Sequence, residues 1–389
     1  MKPAFDEAEE LSLLRGTMRR FVNDHMPRSE ATRWDAESIF PVEVFHRLAA
    51  LGVLGLTIPE EYGGAGRNIP ATMIVIEELS RRSVALSIPY VLAACYGGMN
   101  ILECGSEDQK RTLLPKCATG ELMLAFGVTE PDVGGDVASV KTTARRTGDV
   151  IKVNGTKRYI TGANIADYIY TLVRSDETLP RYKNLSILLI PRTAKGVEIR
   201  KLDMLGLRSG AWTTEVIFDD VEVSAQDIVG GEPGWNKGWS YIAGPGLDVE
   251  KLEVGAIALG IAEAAVDDAW EYAETREQFG KPISNYQNIR HMLADARTDL
   301  HACRLMLYSA AGLAQAGRPC GIESSMAKLF ICERAKQVVL NCQLIFGAYG
   351  CDLDLDMQRY VRDILILPIA GGSSAIQRNN LANRMRLRL

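Results

Sequence analysis

Histidine is scarce: only His25, His46, His291 and His301 occur in a chain of 389 residues. None stands at ligand spacing to a partner, so a metal site is not expected. The eight cysteines, at 95, 104, 117, 303, 320, 332, 342 and 351, lie far apart and form no C-x-x-C pair. Several occupy apolar helical positions, where cysteine acts as a small hydrophobe, so disulfides are not expected either. Basic residues are scattered and the formal net charge is −5, which gives no reason to expect nucleic acid. Even "VGAIALGIAEAAV" is interrupted by Glu263, so no run is expected to span a bilayer. The opening "MKPAFDEAEELS" is acidic and lacks a signal peptide's apolar core, and a cytoplasmic location is the simplest expectation. A Walker loop, G-x-G-x-x-G, G-x-S-x-G and H-E-x-x-H are also missing.

What is present has an ordinary globular composition, 47% hydrophobic and 24% charged, and is long enough for two or three packed units. Up to about residue 121 the periodicity is helical, with Leu11, Leu14, Met18 and Phe21 on one face. From 122 to 232 the texture becomes short strands. "VIKVNGTKRYIT" has β-rich flanks around Asn154-Gly155, which predicts a hairpin turn there. From 233 to 389 the chain is helical again, with long runs from Asp248 to Arg276, from "YQNIRHML" onward and from "IESSMAKL" onward. The expected architecture is α+β and multidomain: an N-terminal helical domain (1–121), a middle antiparallel β-barrel (122–232) and a C-terminal four-helix bundle (233–389).

Four stretches carry chemistry. "FGVTEPDVGGD" and "RYITGA" lie in the β segment, "REQFGKPI" follows the first long C-terminal helix, and "QLIFGAYG" ends a later one. Taken alone, the first is a strand closing in a Pro/Gly turn. Its backbone and the hydroxyls of Thr129 and Thr161 are also suited to hydrogen-bond a planar polar ring, on which Tyr159 could stack. Arg276 is either a solvated charge at a helix end or a diphosphate ligand making paired charge-assisted bonds.

Together, in order and at matching spacing over nearly the whole chain, these stretches resemble the acyl-CoA dehydrogenase family. That resemblance implies FAD between the β domain and the bundle, with Phe126, Val128 and Thr129 lining the flavin ring and Tyr159 and Thr161 closing its other side. It implies that Arg276, Gln278, Phe279, Gln287, Gln343 and Gly347 bind the pyrophosphate and adenosine of a neighbouring subunit's FAD. A dimer or tetramer would then share its sites. It also implies Ser373 near the cofactor, an acyl-CoA substrate and an electron-transferring flavoprotein as electron acceptor.

"LPIAGGSSAIQR" poses the sharpest question. Many members of the family carry a catalytic glutamate in a matching "YEGTS", but here Gly371 holds that place and Ala370 the tyrosine's. A second branch, including isovaleryl- and long-chain-type enzymes, has its glutamate on the long bundle helix in a motif like "LDLER". This chain has "GLDVEKLEVG", where Glu250 matches the base and Asp248 is expected to cap the helix. Without the resemblance, Glu250 is an acidic residue favoured by a first helical turn, and Glu253 is a nearby rival. Gly371 would offer its backbone N–H to the thioester oxygen, with Gly372 beside the substrate. Gly135 replaces a usual serine, Lys251 a common arginine and Ala375 a frequent glutamine. The small residues from Ala370 to Gly372 suggest extra volume for a branched, cyclic or functionalised acyl group. Tyr96 is expected to pack; turned toward the bundle core, it could instead hydrogen-bond a polar acyl substituent. The alternatives are a non-oxidising relative that eliminates sulfinate or carboxylate from an acyl-CoA, and a catalytically silent FAD-binding scaffold.

Overall fold

The structure, a computed structural model, describes residues 8–387; residues 1–7 of the acidic opening stretch and residues 388–389 lie outside it. Seven helices come first: α1 Glu9–His25, α2 Arg28–Glu37, α3 Val42–Ala49, α4 Ile69–Ser80, α5 Val84–Tyr90, α6 Asn100–Cys104 and α7 Glu107–Thr119. The amphipathic α1 buries Met18, Phe21 and Val22. By contrast α4 is buried on nearly every side, because it lies between the N-terminal helices and the bundle. Between α5 and α6 the chain winds as a π-helix over Val91–Met99. The sequence reading expected ordinary helix there. A wider turn re-aims side chains, and such turns are frequent at functional sites.

The span Val84–Cys104 is more apolar than the sequence reading allowed. Its 21 residues contain an 18-residue window of mean hydropathy 1.4, long and apolar enough to cross a bilayer, yet 89% of that window is buried inside the protein. It is packed as a core element.

Seven strands form the middle sheet: β1 Leu124–Gly127, β2 Thr143–Thr147, β3 Val150–Thr161, β4 Tyr168–Arg174, β5 Leu185–Pro191, β6 Val197–Lys201 and β7 Thr213–Ser224. The hydrogen-bonded order is β1-β4-β2-β3-β7-β6, with β5 also on β4. Most pairs are antiparallel as expected, but β1 runs parallel to β4. The turn expected at Asn154-Gly155 is not there. Both residues lie inside β3, at a register shift opposite β7. Asn154 is held by Asp220, its Nδ2 donating to that carboxylate at 2.8 Å and its Oδ1 accepting from the Asp220 N–H at 2.9 Å. The tight turn falls at Gly148-Asp149, between β2 and β3. Local turn chemistry at Asn154 was overridden by pairing with a distant strand.

The third unit comprises α8 Gly238–Ile242, α9 Pro245–Thr275, a short hairpin of β8 Glu277–Gln278 and β9 Lys281–Pro282, α10 Gln287–Gln315, α11 Gly321–Phe346, α12 Met357–Ile364 and α13 Ser374–Arg384. The long helix α9 packs on α4, α10 and α11. Where α9 meets α4, a Cβ on Gly260 would overlap the Glu77 carbonyl.

A buried ionic cluster absent from the sequence reading fastens α1, α4, α9 and α10. Arg15 meets Glu77 at 3.1 Å and Glu78 at 2.7 Å. Arg304 pairs with Glu77 and lies 2.9 Å from Glu263, while the Tyr308 hydroxyl donates to Glu77 at 2.7 Å. Burial alone would raise the Glu77 carboxyl, but Arg304 and Arg15 outweigh it and hold the group well below the usual range. Its contribution to stability is therefore complete above the ordinary carboxylate range and is lost as pH falls below it. Replacing Glu77 by leucine leaves two buried guanidinium groups undercompensated and should cost about 3–5 kcal/mol. Urea unfolding will show this as a lowered midpoint, whereas removing the exposed Glu198 should leave the midpoint unchanged.

Candidate active site

Helix α9 begins earlier than expected. Gly244 is its N-cap and Pro245 its first residue, where proline's missing N–H and fixed φ suit a helix start. Asp248 is therefore not the cap. Its carboxylate receives Lys251 Nζ at 2.6 Å and Arg384 at 3.1 and 3.2 Å, which ties α13 to α9. Glu250 follows two residues later, roughly 200° around the helix, and faces the opposite way. There the Tyr96 hydroxyl, carried by the π-helical stretch, donates to Glu250 Oε1 at 3.2 Å. Burial raises the Glu250 carboxyl above its ordinary value, opposed by the Tyr96 hydrogen bond and by the charges of Lys251 and Lys328. Tyr96 does more than pack, since its oxygen belongs to the carboxylate.

The glycine pair of the last loop lies against the same helix. Gly371 and Gly372 have φ of +60° and +79°, a region that favours glycine. A Cβ on Gly371 would come 2.8 Å from Val254 Cγ2, and one on Gly372 would come 2.7 Å from Gln377 Nε2. At both positions the Cβ direction is already taken, so these glycines let backbone touch α9 and α13. Both carbonyls are occupied. Gln377 Nε2 donates to Gly371 O at 3.1 Å and to Gly372 O at 3.0 Å, and buried Lys328 donates to Gly372 O at 2.9 Å. Ser373 caps α13 by accepting from the Ile376 N–H at 3.3 Å. The β-domain turn reaches this loop as well, because a Cβ on Gly135 would meet Ile376 Cδ1 at 2.9 Å.

Phe126 closes the near side of the site. Its ring stacks 5.1 Å from Tyr96 and 5.5 Å from Tyr170. Val128 is buried and Thr129 half-buried; the Arg158 N–H donates to Thr129 O at 2.9 Å, which brings the end of β1 beside the end of β3. Tyr159 has φ of +61° and is 54% exposed, and Thr161 ends the strand half-buried. A buried pair that the sequence reading passed over secures this corner. Lys157 Nζ lies 2.9 Å from Glu130 Oε1 and donates to Val128 O at 3.0 Å. Glu130 also accepts the N–H groups of Lys141 at 2.6 Å and Thr142 at 2.9 Å. Burial would raise the Glu130 carboxyl; Lys157 and the Lys141 N–H more than offset it and keep the group low.

The remaining residues of the sequence reading form a second cluster. Arg276 lies over the Tyr349 ring at 5.7 Å, the Tyr286 hydroxyl donates to Gln278 O at 2.9 Å, and Gln343 Nε2 lies 3.0 Å from Cys351 Sγ. Gln287 opens α10, Gly347 ends α11 with φ of +61°, and Phe279 is 94% exposed. This cluster does not join Glu250. The two are separated by twenty-six residues of α9, roughly 39 Å at the helical rise per residue.

Three family models match in sequence: the N-terminal domain of acyl-CoA dehydrogenase over residues 8–121, the middle domain over 125–221 and the C-terminal domain over 236–386. The fold and site define a flavin-dependent oxidoreductase of helical, β and helical domains. The chain belongs to the acyl-CoA dehydrogenase family. It is 36% identical to the 3-(aryl)acrylate reductase of Clostridium sporogenes, over 97% of this chain and 98% of that one. It is 35% identical to an acyl-CoA dehydrogenase of Bacillus subtilis, over 95% and 96%. Among solved structures, one described as the electron transferring flavoprotein of Acidaminococcus fermentans matches with a TM-score of 0.93 and 30% identity, over 99% and 100%. An FAD complex of PigA matches with a TM-score of 0.91 and 26% identity, over 99% and 100%. The cofactor is FAD, and the residues present fit it: the pinned Phe126–Thr129 backbone, two threonine hydroxyls and the exposed Tyr159 ring suit a planar polar ring.

Replacing Lys157 by methionine should strand the Glu130 carboxylate and free the Val128 carbonyl, costing about 3 kcal/mol or more. The variant should lose flavin absorbance on gel filtration and unfold at lower temperature than the parent.

Proposed function

We propose that this protein dehydrogenates an acyl-CoA thioester between Cα and Cβ, with Glu250 as the base. The observation that carries this reading is the Glu250 carboxylate, half-buried and hydrogen-bonded by Tyr96 in a setting that raises its proton affinity. A thioester's α-proton is weakly acidic, so a buried carboxylate with raised pKa is better matched to it than a solvated one. The Gly371 N–H donates to the thioester oxygen and stabilises the enolate-like charge. Supporting this, the carbonyls of Gly371 and Gly372 are already taken by Gln377 and Lys328, which fixes the loop's backbone orientation before substrate arrives. Bound FAD would supply the hydride acceptor for the β-hydrogen. Phe126, Val128, Thr129, Tyr159 and Thr161 would hold its ring, with Ser373 and Gly135 close to ring and substrate. Asp248 holds Lys251 by a hydrogen bond, and the charge of Lys251 moderates the rise in the Glu250 carboxyl's pKa.

Arg276, Gln278, Phe279, Gln287, Gln343 and Gly347 bind the FAD of another copy, and the enzyme works as a homo-oligomer. The helix length between the clusters supports this. An electron-transferring flavoprotein takes the electrons, a reading supported by the likeness to the Acidaminococcus fermentans structure. The relative called a reductase supports a second reading, in which reduced FAD would supply the hydride to Cβ of an unsaturated acyl group and Glu250 returns the proton to Cα.

Anaerobic mixing with a panel of acyl-CoA thioesters should bleach the flavin. Glu250→Gln should keep FAD and slow bleaching by about 10²–10⁴-fold. Undiminished bleaching would remove Glu250 as the base. In wild type, the rate should climb with pH through a midpoint above the ordinary carboxylate value, because the base acts ionised and its pKa is raised. Adding Gly371→Glu to Glu250→Gln should not restore activity, since φ of +60° and the Val254 contact oppose a side chain there.

A further inference from the structure

One helical turn beyond Glu250 lies a second carboxyl without an evident structural task. Glu253 is 2% exposed, and its Oε2 is buried with no hydrogen-bond partner among the described residues. Three residues along a helix place it on the same face of α9 as Glu250. The contacts agree. Tyr96 reaches Glu250, and Cys95, the adjacent residue of the π-helical stretch, meets Glu253. A buried carboxyl with an orphaned oxygen is costly, and an apolar residue would fill the position at no such cost.

We propose that Glu253 is a specificity-determining residue whose free oxygen hydrogen-bonds an uncharged hydroxyl or keto group on the substrate's acyl chain. This rests on the dehydrogenase reading and narrows its substrate class. The offset between the two carboxyls along α9 is about 4.5 Å, or roughly three to four bonds counted from Cα to the substituent's oxygen, which puts the substituent at the γ- or δ-carbon. The acyl group is therefore short. A carboxylate at that end is disfavoured, because it would meet Glu250 and Glu253 with no cation to spare. Lys251 is held by Asp248 and Lys328 by the Gly372 carbonyl.

The groups facing Glu253 are Glu250 on its own helix and Cys95, Tyr96, Tyr90 and Glu103 from the elements packed against it. Burial and then the neighbouring Glu250 push its carboxyl up to about 8. Below that pH it is neutral and both donates and accepts; above it, it only accepts. A keto substituent needs the donor, whereas a hydroxyl can serve the ionised form.

The test uses flavin-loaded protein carrying Glu250→Gln, so that ligands bind without turnover, and measures affinity by calorimetry for pentanoyl-CoA, 4-hydroxypentanoyl-CoA and 4-oxopentanoyl-CoA. The two oxygenated thioesters should bind at least about tenfold tighter than the plain one, because a site built to hydrogen-bond rejects the analogue that lacks the group. Adding Glu253→Leu should erase that preference and tighten pentanoyl-CoA, while Glu253→Gln should keep it. With Glu250 intact, flavin reduction by the keto thioester should weaken above pH 8 relative to the hydroxy thioester. Equal or tighter binding of pentanoyl-CoA, preference for 4-aminopentanoyl-CoA, or a leucine variant that weakens all ligands alike would overturn the proposal. Preferential binding without flavin reduction by any thioester would support Glu253 and refute the dehydrogenase reading. Fastest reduction by the plain thioester would do the reverse.

Discussion

The contact between α4 and α9 constrains everything around the site. Gly260 lets the two backbones approach so closely that a single methyl group would strike the Glu77 carbonyl. That approach brings the acids of α4 within reach of Arg15 and Arg304, and it excludes water from the resulting cluster. Buried ion pairs are seldom the best source of stability, since well-packed apolar groups often do as well. What this one supplies is register. Glu77 accepts from side chains on α1 and α10 at once, so α4 cannot slide along α9 without stranding charge. The N-terminal domain is thus fixed against the helix that carries Glu250.

A fixed α4 matters because the chain continues from it, through α5, into the π-helical stretch. That stretch is the wall opposite Glu250. Its wider winding aims Cys95 and Tyr96 at successive acids of α9, and the two acids are treated differently. Glu250 has a tyrosine donor and two lysine charges nearby, while Glu253 has a thiol and the field of Glu250. Two carboxyls one turn apart in an apolar wall resist ionising together. The field of Glu250 adds to burial in raising the Glu253 carboxyl, an asymmetry set by the neighbours rather than by either residue.

Much of this was legible in the sequence where signals are local or repeated. The long helices, the strand-rich middle and the four motif stretches needed only periodicity and pattern. Glu250 could be singled out only through the family resemblance of "GLDVEKLEVG", and its raised proton affinity could not be read, because that depends on burial and on Tyr96, 154 residues away. The same reason hides the Glu130–Lys157 pair and the Glu77 cluster, whose members read as ordinary surface charges until distant segments close over them. Two errors share a cause. Asn154-Gly155 has the chemistry of a turn and Asp248 that of a cap, yet Asp220 claims the first and Lys251 and Arg384 the second. In each, a long-range partner won over a local preference.

Helix α9 also acts as a ruler. Glu250 stands near its start and Arg276 just past its end, so one chain sets its base and its cationic hairpin at opposite ends of a rigid rod. A cofactor whose ring lies at the first end finds that hairpin beyond reach, unless a second copy presents its own hairpin from outside. The exposed surface fits such an arrangement. Phe279, held at a φ of +52°, projects almost its whole ring into solvent; Tyr349 under Arg276 and Leu344 near the end of α11 are likewise uncovered. Leaving aromatic rings and an aliphatic side chain bare at this end of the molecule forgoes stabilisation that folding alone could have gained. Association of the proposed kind would recover it, and the same contact would place Arg276 against a diphosphate. On that proposal the flavin site is a property of the assembly, and the cost of an exposed Phe279 in the single chain is a physical reason for the assembly to form.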